Sequence, residues 1–290
     1  MCHEMTCPRE FELRRSLAGE RPRSVSRIAA SAVFVSLALA AACALPARAQ
    51  EAGGVTASPS QQLLNPLANV TKLSATLSFD LNVGPDRNTQ PALNFQPVIP
   101  FEASKDWHVI TRSSLSVIHL PAPETTTGLG DLSTSFFLTP DRTGPWVWGV
   151  GPILQLPTAT DPSLGTGKWS AGPTAALLYV DGPWVNGVLV SQLWSFAGPR
   201  DREDVSLTQV EIQLSYTFQN NWYVQTNPTF SYDWKAPPGQ GRIVPIGIDI
   251  GKVMPFGARS LSVQAGAYYN MKKSDEAANW VLRAQLSWVY

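Results

Sequence analysis

Cysteine and histidine are nearly absent from most of this chain of 290 residues. Its three cysteines, Cys2, Cys7 and Cys43, all precede residue 50, and only His108 and His119 follow that point. On one unbulged strand these two histidines would point to opposite faces, so a paired metal site on them is not expected. The sequence therefore excludes a disulfide framework in its main part and predicts neither a metal nor another cofactor.

Long apolar runs are also scarce, which excludes a bundle of membrane-spanning helices. The single long run, Ile28–Leu45, follows a group of arginines and precedes Ala47-Arg48-Ala49, a small-x-small cleavage site. This order is typical of a secretory signal peptide, so residues 1–49 are predicted to be removed before Gln50.

Two alternatives to a cleaved signal peptide are an uncleaved anchor helix and lipidation of Cys43. Pro46 and the small residues around it disfavour the anchor helix, because they favour cleavage. The segment Leu39–Ala42 is a poor lipobox, because Ala40 occupies the position where leucine is usual. Both alternatives are therefore secondary to cleavage.

Charge is low and nearly balanced, with 22 basic and 22 acidic residues. Seven of the basic and four of the acidic residues precede Gln50, which leaves 15 against 18 and a net charge of −3. The sequence contains no basic patch of the kind that binds nucleic acid. It also contains no basic amphipathic helix of the kind found in peripheral membrane proteins.

The last eleven residues, Trp280–Tyr290, carry the clearest structural pattern. Alternate positions from Trp280 to Tyr290 are apolar or aromatic, whereas the positions between them include Arg283, Gln285 and Ser287. A period of two is typical of a β-strand with one apolar face. A strand that ends on the aromatic Tyr290 is similar to the C-terminal insertion signal of bacterial outer-membrane barrels.

Similar segments recur along residues 70–290, and their count predicts twelve strands. The links between them alternate in length, from the tight Asp181–Pro183 to the long Pro157–Lys168. Such alternation favours an all-β, transmembrane, up-and-down antiparallel barrel with both termini periplasmic, and disfavours a soluble Greek-key sandwich. Residues 50–69 are predicted to form a periplasmic tail that could plug the barrel, and the chain is expected in the bacterial outer membrane.

The positions of the tryptophans along the sequence are those expected if the rings form two belts, one at each membrane interface. The four tryptophans that follow short links are Trp107, Trp146, Trp184 and Trp222. The four that border long links are Trp169, Trp194, Trp234 and Trp280. A soluble core would instead place these rings in the middle of strands. The partners expected from this pattern are outer-membrane lipid, lipopolysaccharide and the barrel-insertion machinery.

Several glycine-rich motifs resemble an outer-membrane family that is named for the MetA pathway of phenol degradation. The motifs are Gly128-Leu129-Gly130-Asp131, Phe136-Phe137, Pro140, Trp148–Pro152, Leu156–Asp161, Leu164–Trp169, Trp194–Gly198 and Tyr232–Trp234. The resemblance covers nearly the whole chain after the signal peptide. It implies a surface barrel, often described as a transporter, but no mechanism.

Catalytic motifs are not evident. Gly165-Thr166-Gly167-Lys168 fails as a phosphate loop, because Pro162 stands where the first glycine belongs and Trp169 replaces the magnesium-binding Ser or Thr. A barrel hydrolase could place at most one histidine in the lumen, near Ser114 or Ser116, and no motif supports that arrangement. The chain is therefore not expected to be an enzyme.

Ionisable residues within the strands fall on the predicted lumen face, where a charge avoids lipid. They are Asp80, Arg112, Glu211, Asp233, Asp249 and Arg283. These side chains either pair and close the lumen, as in small filled barrels, or line a water-filled constriction, and the sequence favours neither. The predicted function is passive passage of small molecules, including aromatic or hydrophobic compounds, and the alternative is a non-conducting structural or adhesive barrel.

Overall fold

The structure is a computed structural model that describes residues 58–121, 125–141, 144–257 and 259–290. The predicted signal peptide and the first eight residues of the predicted tail lie outside the described residues. Over these described ranges, the elements are one short helix, one 3-10 turn at Pro162–Leu164 and fourteen strand segments. The helix is α1 (Pro59–Leu64), and the strands are β1 (Lys72–Val83), β2 (Asn88–Ser104), β3 (Trp107–Leu120), β4 (Thr126–Leu129), β5 (Leu132–Pro140), β6 (Trp146–Leu156), β7 (Trp169–Asp181), β8 (Trp184–Ala197), β9 (Ser206–Thr217), β10 (Trp222–Thr226), β11 (Thr229–Asp233), β12 (Arg242–Phe256), β13 (Arg259–Lys272) and β14 (Trp280–Val289).

The strands form one closed antiparallel ring. β4 and β5 both pair with β3, and β10 and β11 both pair with β9 and β12, so the fourteen segments occupy twelve positions around the ring. The pairing of β14 with β1, from Lys72 opposite Val289 to Leu81 opposite Trp280, completes the closure. The predicted twelve-stranded up-and-down barrel is confirmed. Within the described residues, no helix is long and apolar enough to span a membrane.

The barrel has two unlike ends. At one end, called the short-turn end, tight links such as Gly182-Pro183 lie on the same side of the barrel as the start of β1 and the C-terminal Tyr290. At the other, called the long-loop end, the links include residues 157–168, 198–205 and 234–241. The polar ends of β2 also pair with β1 and β3.

The two faces of the wall differ in polarity as the period of two requires. In β14, Leu282 and Leu286 are exposed on the outside, whereas Arg283 makes contacts inside the barrel. Exposed isoleucines of β12, Ile246, Ile248 and Ile250, extend the same apolar exterior. In water an apolar band of this extent would be a large unpartnered surface, whereas lipid would cover it.

A short segment before β1 fills the short-turn end of the lumen. This plug segment, Ser58–Asn69, contains α1, which begins with a capping box between Ser58 and Gln61 and has Pro59 in its first turn. Leu63 and Leu64 pack against a cluster inside the barrel that includes Val185, Tyr223, Val253 and Val289.

A second apolar contact explains why several strands alternate poorly in sequence. Leu67 of the plug segment packs against inward-facing Ile110, Phe137 and Leu178, of which the first two are completely buried. Because the plug segment supplies an apolar partner inside the lumen, β3, β5 and β7 carry apolar residues on both faces. Their weak alternation is therefore a consequence of the plug.

Candidate functional site

An ion pair crosses the lumen at mid-barrel. Arg112 on β3 donates from Nη1 to Oε2 of Glu211 on β9 at 2.9 Å and from Nη2 to Oε1 at 3.3 Å. β3 and β9 are not neighbours in the ring, so the two side chains meet only by reaching across the interior. The paired geometry restricts the lumen at this level, and both side chains are largely buried.

A second cluster joins β12, β13 and β14. Asp249 is completely buried and accepts hydrogen bonds from Arg283 Nε at 2.8 Å, Arg283 Nη2 at 2.6 Å and the Tyr268 hydroxyl at 2.6 Å. Gly266, opposite Asp249 in the ladder, leaves the space for this carboxylate, because a Cβ there would lie 2.0 Å from Asp249 Oδ1. The buried negative charge is thus compensated by a positive charge and a hydroxyl.

Asn227 connects the two clusters. Its side-chain Nδ2 donates to Glu211 Oε1 at 3.2 Å, and its backbone N–H donates to the Tyr268 hydroxyl at 2.9 Å. Arg112, Glu211, Asn227, Tyr268, Asp249 and Arg283 therefore form one continuous polar network, called the lumen network.

The wall is interrupted where Asn227 leaves the ladder. β10 pairs with β12 as far as Gln225 opposite Asp249, and pairing resumes in the same register at Ser231 opposite Ile243. Five positions on each strand between these points have no ladder partner across the interface, and Asn227-Pro228 lies among them. The side-chain bonds of the lumen network take the place of part of the missing ladder.

The polar interior retains a small cavity beside these contacts. Its volume is about 80 Å³, and glutamines of several strands, including Gln213, Gln225 and Gln264, line it together with Arg112 and Arg283. A space of this size holds a few water molecules and is too small for a solute such as a sugar or a substituted benzene ring. The plug segment and the Arg112–Glu211 pair both obstruct the barrel axis.

Lys72 is a buried cation that the sequence pattern did not identify. Its Nζ donates to the carbonyl oxygens of Leu63 at 2.8 Å and Asn65 at 3.2 Å, both in the plug segment. Gln213 donates to the neighbouring carbonyl of Leu64 at 2.7 Å. These partners are backbone groups of the plug segment, so side-chain types alone could not have revealed the role of Lys72.

The six predicted lumen residues do not all meet. Arg112, Glu211, Asp249 and Arg283 belong to the lumen network. Asp80 is half-buried near the long-loop end of β1, opposite Gln90. Asp233 is exposed at the end of β11, where its Oδ1 accepts from the backbone N–H of Lys235.

The predicted belt tryptophans are exposed by between 36% and 62% and lie at strand ends. Trp107, Trp146, Trp184 and Trp222 begin strands at the short-turn end, whereas Trp169 and Trp280 begin strands at the long-loop end, where Trp194 and Trp234 also lie. Tyr290 stacks on Trp288 at the short-turn end with ring centroids 5.5 Å apart.

The two histidines have polar partners other than serine. His108 contacts Asn69 and Asp141, and His119 contacts Thr127, so no serine hydrogen-bonds to either ring among the described residues. No group of three potential metal ligands occurs in the described part of the chain.

The glycine-rich motifs meet at the long-loop end. Loop 157–168 folds back onto β4, where Leu164 is buried beside Gly128, and a Cβ at Gly128 would lie 2.1 Å from Thr160 Oγ1. Asp131 accepts from Thr166 N at 2.7 Å, Thr166 Oγ1 at 2.8 Å and Ala159 N at 3.2 Å. Two motifs that are distant in sequence therefore build one ordered loop.

A neighbouring ion pair ties this loop to loop 198–205. Lys168 Nζ donates to Asp204 Oδ1 at 3.0 Å, and the Ser195 hydroxyl donates to the same oxygen at 3.3 Å. The hydrogen bond and positive charge of Lys168 hold the pKa of Asp204 below its ordinary value. A depressed folded-state pKa means that the contact stabilises the loop above the unfolded-state pKa and is lost as the pH falls through the folded-state value.

Hydrogen exchange of loop 198–205 should therefore accelerate below about pH 4, after correction for intrinsic rates. Mass spectrometry of peptides from this loop measures the effect, and the Asp204→Asn variant is the matched control because it does not titrate at this position. An identical pH dependence in the variant would show that another group controls the loop.

Comparisons with known proteins support the fold. No family model matches the chain, and no curated protein matches it either. Among solved structures, an outer membrane channel from Pseudomonas putida F1 is similar with a TM-score of 0.60 and 11% identity, covering 77% of this chain and 97% of that one. Outer membrane phospholipase A from Escherichia coli is less similar, with a TM-score of 0.40 and 14% identity over 80% of this chain and 97% of that one. A Pseudomonas aeruginosa FadL homologue has a TM-score of 0.39 and 8% identity over 82% of this chain and 95% of that one. At these identities the likeness concerns the barrel fold alone.

Proposed function

We propose that the protein is an outer-membrane channel through which small molecules pass without an energy source, and that apolar or aromatic solutes leave the lumen sideways through the wall. The barrel fold, its apolar exterior and its polar interior support a membrane location. The likeness to the outer membrane channel of Pseudomonas putida is consistent with this proposal.

The interruption between β10–β11 and β12 is the observation that carries the proposal. The plug segment and the Arg112–Glu211 pair obstruct the axis, so a solute that follows the axis would need both to move. At the interruption, five positions have no ladder pairing, so opening there would break the bonds of Asn227 to Tyr268 and Glu211 rather than a ladder. Exposed Ile246 and Ile248 on the outside would offer an apolar solute a surface continuous with lipid.

A disulfide across the interruption tests the route. No cysteine follows residue 43, so the double variant Thr226→Cys/Ile248→Cys introduces a single reactive pair at positions that the flanking register places opposite each other. Oxidation should reduce uptake of radiolabelled toluene by intact cells severalfold, and reduction should restore it. The control Val224→Cys/Ile250→Cys closes a neighbouring pair that is already in the ladder and should have no effect. Equal uptake by the oxidised test and control variants would exclude the lateral route.

A non-conducting structural barrel is the second candidate. The Arg112–Glu211 pair favours it, because a permanent bridge across the lumen is what a filled barrel would contain. Planar-bilayer recordings and toluene uptake separate the two functions. The structural function is supported if two results are obtained together. Protein inserted in a planar bilayer gives no discrete conductance steps, and cells that contain the protein take up no more toluene than cells that lack it.

The proposal extends to orientation and assembly. The short-turn end would face the periplasm, and the C-terminal Tyr290 would be recognised by the barrel-insertion machinery in the bacterial outer membrane. Lipid and lipopolysaccharide would cover the exterior. We also propose that the protein is not an enzyme.

A further inference from the structure

A cavity at the long-loop end lies outside the lumen network. Its volume is about 570 Å³, and it is bounded by the end of β11, loop 234–241, the start of β12 and the end of β13. Two reciprocal hydrogen bonds close loop 234–241 against loop 273–279: Gln240 Nε2 donates to Asp275 Oδ2 at 2.9 Å, and Asp275 N donates to Gln240 Oε1 at 2.8 Å. The volume lies in the range of small-molecule sites.

The charges around this cavity are unbalanced. Arg242, Lys272 and Lys273 line it, against a single carboxylate, Asp233. Among the described residues, none of these three cations forms a salt bridge. Asp233 already accepts a hydrogen bond from the backbone of Lys235. Among the residues that line the cavity, positive charge therefore exceeds negative charge.

Apolar groups lie beside the cations. The guanidinium of Arg242 lies 5.4 Å from the centroid of the Tyr232 ring, and Tyr269 and Met271 complete this side of the cavity. Both Tyr269 and Met271 are substantially exposed. A planar guanidinium can bind a carboxylate or phosphate through two hydrogen bonds, while aromatic rings and a thioether accept an apolar group.

We propose that this cavity binds an amphipathic anion, with its carboxylate or phosphate on Arg242 and Lys272 and its apolar body on Tyr232, Tyr269 and Met271. Such a group is present in a free aryl carboxylate and in a phosphorylated lipid of the outer leaflet. The cavity lies next to the β11–β12 interface, so a captured solute would be held close to the wall interruption. This last step, from binding to transport, rests on the proposed channel function.

Binding is tested with the full-length protein in a nonionic detergent. Equilibrium dialysis measures the binding of 4-phenylbutyrate, and native mass spectrometry measures the retention of lipid A. The double variant Arg242→Gln/Lys272→Gln should weaken binding by at least about tenfold and abolish its salt dependence. Arg259→Gln is the matched control, because Arg259 also lies over a tyrosine ring, that of Tyr290 at 5.0 Å, but at the short-turn end.

The two arms distinguish the source of the anion. Saturable binding of 4-phenylbutyrate that depends on Arg242 and Lys272 identifies a solute site, and binding of lipid A alone identifies a lipid site. Absence of both, or equal binding by the double variant with a preserved heat-modifiable gel shift, overturns the proposal. Binding at the site without toluene uptake would contradict the channel function but support the anion site. Toluene uptake without binding would support the channel function but contradict the anion site.

Discussion

Deletion of residues 50–69 should raise the single-channel conductance of the purified protein severalfold, although not to that of barrels with an open lumen. The plug segment fills the short-turn end with Leu63, Leu64 and Leu67, and its backbone carbonyls bind Lys72 and Gln213. Without it, these polar groups would face water, and the remaining restriction would be the Arg112–Glu211 pair. Planar-bilayer recordings of the variant and the wild type measure the effect.

A shorter deletion provides the control for this experiment. Removal of residues 50–57 leaves the plug segment and its hydrogen bonds in place, so conductance should be unchanged. The heat-modifiable gel shift of both variants reports whether the barrel has closed. If the longer deletion folds and conducts like the wild type, the plug segment does not limit the current.

A point substitution separates the plug from its anchor. Lys72 Nζ contacts two carbonyl oxygens of the plug segment, and replacement with methionine keeps the length of the side chain while removing both hydrogen bonds. The same recordings should then show brief openings rather than a permanent increase, because the leucine contacts of the plug remain.

The strands were predictable wherever their two faces differ in polarity. β1, β9, β13 and β14 alternate clearly, because one face belongs to the apolar exterior and the other meets polar side chains or the cavity. Val281, Arg283 and Gln285 therefore lie inside the barrel, as the period of two requires.

The weakly alternating strands depend on a part of the chain that local patterns do not place. Ile110, Phe137 and Leu178 point inward and contact Leu67, which precedes β1 by several residues. A pattern within one strand contains no information about a separate segment inside the lumen. For the same reason, sequence reasoning placed Arg112, Glu211, Asp249 and Arg283 on one face but could not assign the pairs that they form.

The interruption of the wall shows a similar limit. The alternation of residues 222–234 predicts one strand and continues through the break, with Val224 and Phe230 on one face. Asn227-Pro228 is the local signal, because proline lacks the backbone N–H that a central strand would donate. The sequence does not reveal which group replaces the missing ladder partner of Asn227. In the structure, the Tyr268 hydroxyl accepts the hydrogen bond of Asn227 N.

Replacement of Arg283 by methionine should destabilise the barrel by about 3–5 kcal/mol, because it leaves the completely buried Asp249 carboxylate without its cation. The Tyr268 hydroxyl would remain as a single neutral donor, at 2.6 Å from Asp249 Oδ2. The free energy of unfolding is measured by urea titration in detergent, with tryptophan fluorescence and the gel shift as two independent probes.

The double variant Arg283→Met/Asp249→Asn decides whether the lost charge pair causes the effect. An asparagine of the same shape carries no charge, so the double variant should be less destabilised than Arg283→Met alone. Arg259→Met removes an arginine outside the lumen and should change stability by less than about 0.5 kcal/mol. Equal destabilisation in the single and double variants would mean that Arg283 acts through packing on Tyr268, over whose ring its guanidinium lies at 4.1 Å, rather than through its charge.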